Sequence, residues 1–114
     1  MEGLYLSESQ FATAENFSNV LAESIDEGLK RLLGEGGVKA VLNYLRSVQL
    51  DNPRELHIKL SSIFGKGTEI LEKAVVKELY RKLNLSYEEG AFDFERCINH
   101  AKILFLVDRI DLSR

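Results

Sequence analysis

The chain has 114 residues, 45% of them apolar and 29% charged, with a formal net charge of −3; this encloses one hydrophobic core and excludes a disordered or collagen-like chain. Its single cysteine, Cys97, rules out an internal disulfide and suits a reducing compartment. The longest apolar run, Ile103-Leu104-Phe105-Leu106-Val107, is far shorter than the roughly 18 residues a membrane span needs, and no basic-then-apolar leader is visible, so one cytoplasmic domain over residues 1–114 is expected, away from membranes.

In chain order the pattern predicts helices almost throughout. Ser7 is placed to cap a helix from about Glu8, with Gln10 as its capping-box partner and Leu6 and Phe11 as a hydrophobic staple. Phe11, Ala14, Phe17, Leu21, Ile25, Gly28, Leu29 and Leu32 then recur at three- and four-residue intervals, the spacing of one helix face. That long helix is expected to end near Gly34, with Thr13 to Asn16 as the one place where it could break. Glu35-Gly36-Gly37 reads as a turn, because paired glycines favour positive backbone angles. A short helix follows with Val38, Val41, Leu42 and Leu45 on one side.

Asn52 is a good N-cap, Pro53 suits the first helical position and Glu55 adds a carboxylate to the first turn. Leu56, Leu60, Ile63 and Phe64 form the expected inward face, and Gly65 should close this helix in a left-handed conformation. The next helix runs from about Lys66 to Leu83, with Leu71, Val75, Val76, Leu79 and Leu83 in one arc. Asn84 suits the left-handed position after its last turn, and Leu85 can cover Tyr80. Asp93 can cap a final helix whose inward residues are Phe94, Cys97, Ile98, Ala101, Leu104 and Phe105, although Ile103 to Val107 could also pass for a short strand. The expectation is an all-α single bundle of about five helices with a long N-terminal helix.

Several groupings resemble chemistry and lack its context. Gly65-Lys66-Gly67-Thr68 looks like the end of a phosphate-binding loop, but Ser61 stands where that motif needs glycine, and a helix rather than a strand precedes it. Cys97 and His100 have metal-like spacing, yet a closed zinc site needs four ligands and the only other histidine is His57. His57 and His100 lack a nucleophile and carboxylate at a recognisable family spacing. Glu23, Asp26 and Glu27 are interleaved with Lys30 and read as a solvated helix face. No catalytic residue, metal or cofactor is expected, and an enzyme is not expected.

Charge is unevenly distributed. Residues 1–35 hold seven acids against two bases, residues 36–86 nine bases against five acids, and residues 87–114 six acids against four bases. The anionic ends are expected to lie against the cationic middle, or against a partner's middle. Within that middle, Lys66, Lys73, Lys77 and Arg81 line up as an anion or partner surface. The alternative is non-specific nucleic-acid binding through phosphates, for which no interleaved aromatic residue and no Asn-, Gln- and Arg-rich recognition helix stands out.

Ser24-Ile25-Asp26-Glu27-Gly28-Leu29, Val41-Leu42-Asn43-Tyr44-Leu45, and Ile63-Phe64-Gly65-Lys66-Gly67 running into Ile70-Leu71-Glu72-Lys73 and on to Leu83 resemble the archaeal Nitrosopumilus output domain family of the fifth type. The resemblance covers about residues 24–85, with the Phe-Gly-x-Gly hinge its most specific part, and leaves residues 1–23 as an N-terminal helical extension. It implies an all-helical module, alone or joined to archaeal signalling and transcription proteins, that passes a signal on and carries no catalytic residue. The expected function is therefore a non-enzymatic, output-type protein-interaction module with an unnamed protein partner. A homodimer is expected through residues 8–33, with Phe11, Phe17 and Leu21 near its centre, because a long amphipathic helix can carry more apolar surface than a small core covers; the other reading is that this helix folds back on its own bundle.

Overall fold

The computed structural model describes residues 14–49, 52–88 and 90–112. It is all-helical, with α1 at Ala14–Tyr44, α2 at Pro53–Phe64, α3 at Thr68–Lys82 and α4 at Phe94–Leu112, plus 3-10 turns at Leu45–Ser47 and Gly65–Gly67. None of these helices is long and apolar enough to cross a membrane. Ile103 to Val107 lie within α4, which settles the helix-or-strand ambiguity for that run. The expected start near Glu8, with its Ser7 cap and Leu6–Phe11 staple, lies outside the described residues.

There are four helical runs among the described residues rather than about five, because the first and second expected helices meet at Gly34, the expected boundary, without a loop between them. The run changes direction at Gly34 alone, with φ 76° and ψ 174°, a conformation essentially confined to glycine. Glu35, Gly36 and Gly37, expected as a turn, are helical. At Gly37 a Cβ would lie 2.9 Å from that of Leu33, so its lack of a side chain lets the two arms of α1 approach at the bend.

The local signals around α2 and α3 appear as expected. Asn52 Oδ1 accepts from the Glu55 amide at 3.2 Å and Pro53 opens α2. At the end of α3, Asn84 has φ 61°, the Leu85 amide donates to the Tyr80 carbonyl at 2.8 Å and the Asn84 amide to that of Arg81 at 3.1 Å; this paired closure satisfies two helix-end carbonyls. Asp93 Oδ1 caps α4 by accepting from the Arg96 amide at 2.9 Å. Gly65 closes α2 with a positive φ, but its ψ of −121° places it in the mirror image of the extended region rather than in the expected left-handed helical one.

Phe17, Leu21, Ile25 and Leu29 of α1, Leu56 and Leu60 of α2, Val75, Val76 and Leu79 of α3 and Ile98 and Ala101 of α4 meet in one core. Two expected inward residues face out: Leu32 and Ile63 are 48% and 40% exposed. The most extensive helix pair is α1 with α3. At Gly28 a Cβ would meet Val75 Cα and N at 2.8 Å, so the backbones of these helices nearly touch there. Beside that crossing, buried Glu78 of α3 accepts from Arg31 of α1 at 2.9 Å and from Arg81 Nε at 3.1 Å. Hydrogen bonding to Arg81 holds the Glu78 carboxyl below its ordinary range, against the opposing effect of burial.

Candidate functional site

The basic stripe does not survive as one surface. Lys66 stands on the Gly65–Gly67 turn beside a cleft between α2, α3 and α4. Arg81 turns to Glu78 and lies 3.9 Å from Glu27. Lys73 and Lys77 stay together and border a groove of about 340 Å³ between α1 and α3, lined also by Arg31, Leu32, Ile70 and Ala74. Ile70 is 64% exposed, so the groove has an apolar floor with cations beside it.

Aromatic rings accompany these lysines after all. Lys73 Nζ is 5.8 Å from the Phe92 ring centre and Lys77 Nζ is 5.6 Å from that of Tyr87, distances at which a cation is attracted to a ring face. Both rings belong to the loop between α3 and α4, which follows the stripe in sequence and folds back along it. Arg31 was missed for a similar reason: the α1–α3 crossing at Gly28, not helix periodicity, brings it beside Lys73 and Lys77.

The proposed dimer centre is corrected. Phe17 and Leu21 are buried in the chain's own core, and the Phe17 ring lies 5.7 Å from that of Phe105 of α4. A side chain consumed by its own bundle cannot also form the middle of an interface. Phe11 lies outside the described residues.

The second concave site is the cleft of about 490 Å³ between α2, α3 and α4. Its polar centre joins both sides of the Gly65 hinge. Glu72 of α3 is 2% exposed, and its Oε2 lies 2.6 Å from Nδ1 of His57 on α2, whose side chain is half exposed. The His57 Nε2 is 3.4 Å from Ser61 Oγ, one helical turn further along α2. Burial pushes the Glu72 carboxyl above its ordinary value; the His57 contact pulls it down, and Glu69 and Asp93 push it up further. Sequence reading found no serine or carboxylate serving His57. The i to i+4 spacing of His57 and Ser61 was visible, but the acid is fifteen residues away across the hinge.

The remaining reactive candidates are not assembled. Cys97 is half-buried with its thiol pushed up by burial, and its carbonyl accepts from the Tyr80 hydroxyl at 3.1 Å. His100 is exposed on α4 beside Asn99 and Ile103. Among the described residues no group of three or more His, Cys, Asp or Glu side chains is placed to hold a metal ion.

No family model, curated protein or solved structure matches this chain.

Proposed function

We propose that this chain is a binding module that receives an acidic, amphipathic segment of a partner protein in the α1–α3 groove, the kind of work an output module of archaeal signalling would do. The observation that carries this reading is the pairing of two exposed branched side chains, Leu32 and Ile70, with Arg31, Lys73 and Lys77 around one concavity. A helix with leucines on one face and glutamates on its flanks would place apolar area on the floor and carboxylates beside the cations, the helix-in-groove mode of recognition. Duplex DNA is the weaker alternative: acids interrupt the cations all along, with Lys73 3.2 Å from Glu69, Arg31 2.9 Å from Glu78 and Lys82 3.1 Å from Glu27, so a run of phosphates meets no continuous stripe, whereas a peptide also gains the exposed apolar side chains.

A titration of isotope-labelled protein with a synthetic amphipathic peptide bearing glutamates, its lysine-bearing twin and a short DNA duplex separates the outcomes. Amide shifts at Leu32, Ile70 and Ala74 are expected with the acidic peptide alone, and should disappear in an Ile70→Asp variant. Shifts with DNA alone, or with none of the three, remove the proposal.

A further inference from the structure

We propose that Ser61 is a nucleophile that accepts the acyl group of a small ester in the cleft between α2, α3 and α4, with His57 as its base and Glu72 as the group that positions His57. This goes beyond the groove reading and shares none of its lining residues.

The chain of contacts runs in the required order. The buried Glu72 carboxylate, 2.6 Å from Nδ1, holds the ring proton on that nitrogen when ionised. The lone pair is then left on Nε2, the nitrogen that faces Ser61 Oγ at 3.4 Å. Such contacts are often long before a substrate is bound. This hydroxyl, imidazole and buried carboxylate stand in the same relation as in known acyl-transfer sites, whose recognition rests on geometry rather than on sequence order.

The remaining requirement is stabilisation of the negative oxygen that forms on attack. Gly65, Lys66 and Thr68 line the same cleft. The Gly65 amide already donates to the Ser61 carbonyl and the Thr68 amide to that of Gly65, so the donor left for this role is the ammonium of exposed Lys66. An ammonium beside the cleft supplies the positive potential that such an oxygen needs. Glu69 and Asp93 also border the cleft, and Glu95 does so paired with Arg54 at 3.4 Å, so a neutral ester is accommodated better than an anionic one.

In the first step the Ser61 Oγ–C bond forms as Nε2 takes the hydroxyl proton and the carbonyl electrons move to oxygen. Collapse of that adduct breaks the C–O bond, and the leaving alkoxide takes the proton from Nε2. Water then adds to the acyl-serine, Nε2 accepting its proton and returning it to Oγ, which regenerates Ser61 and releases the acid.

A fluorophosphonate probe tests this directly, because it forms an Oγ–P bond with loss of fluoride. Intact mass and peptide mapping of the full chain should show one adduct, on Ser61. Ser61→Ala should abolish it and His57→Ala should slow it at least a hundredfold, with circular dichroism confirming that both variants fold. For p-nitrophenyl acetate, Glu72→Gln should lower kcat at least tenfold per site titrated by the fluorophosphonate, and Glu72→Asp should restore part of it, a pattern that loss of structure alone would not give. No adduct, an adduct elsewhere, or a Ser61 adduct that forms equally fast in His57→Ala overturns the proposal.

Discussion

Glu72 and Glu78 are both buried on α3, yet their environments drive them in opposite directions. The folded value of Glu72 lies above the ordinary 4.5, so its favourable contribution is complete below that pH and is lost as pH rises through the folded value. That of Glu78 is depressed, so its contribution is present above the ordinary value and is lost as pH falls through the folded one. Urea unfolding at several pH values should show this as opposite trends. Glu72→Gln should match wild type in acid and gain stability relative to it towards neutral pH, whereas Glu78→Gln should lose stability at neutral pH and match it in acid. Replacing His57 with Ala removes the imidazole from a buried carboxylate and is expected to cost about 1–3 kcal/mol. Gly65→Ala should cost a similar amount, about 1–3 kcal/mol, because φ 52° with ψ −121° is open essentially to glycine alone; a thermal melt equal to wild type would refute that account.

At the scale of elements, the crossing of α1 over α3 depends on Gly28. A methyl group there meets the Val75 backbone, which cannot turn aside as a side chain can. Gly28→Ala is therefore expected to cost about 1–3 kcal/mol and to loosen the Arg31–Glu78 contact, which amide exchange along α1 would detect. The caps at Asn52, Asp93 and Asn84 were legible in the sequence because each is a contact within a few residues. The bend was legible in place and not in form: the long helix was expected to end near Gly34 and does break there, but Glu35 to Gly37, expected as a turn, continue as helix. Leu32 and Ile63 were read as core because periodicity reports a face and not how much of that face a neighbour covers. The basic stripe was read from one helix, and the two surfaces it belongs to are made by others.

For the molecule as a whole, the uneven charge along the chain is partly resolved inside the bundle. Glu27 pairs with Lys82 at 3.1 Å and Glu95 with Arg54 at 3.4 Å, so acids from both ends meet the cationic middle as one sequence reading expected. Burial of Phe17 changes what its replacement reports: Phe17→Asp should unfold the bundle, at a cost above about 3 kcal/mol, rather than separate two folded copies. Circular dichroism beside light scattering distinguishes these outcomes, and a dimeric wild type beside a folded monomeric variant would restore the interface reading. The turn at Gly65–Gly67 also has a consequence for how this chain can vary over evolution. Each residue of a helix advances its side chain by about 100°, so adding or removing one residue in that turn would rotate Glu72 away from His57 and swing the Thr68 hydroxyl off the Leu60 carbonyl, to which it donates at 3.4 Å. The connection from Leu83 to Asp93 is held at points, by Leu85 on the Tyr80 carbonyl and by Tyr87 and Phe92 beside Lys77 and Lys73. Natural variants of this fold should therefore keep the short turn at a fixed number of residues, while insertions and deletions are confined to the stretch between Tyr87 and Phe92.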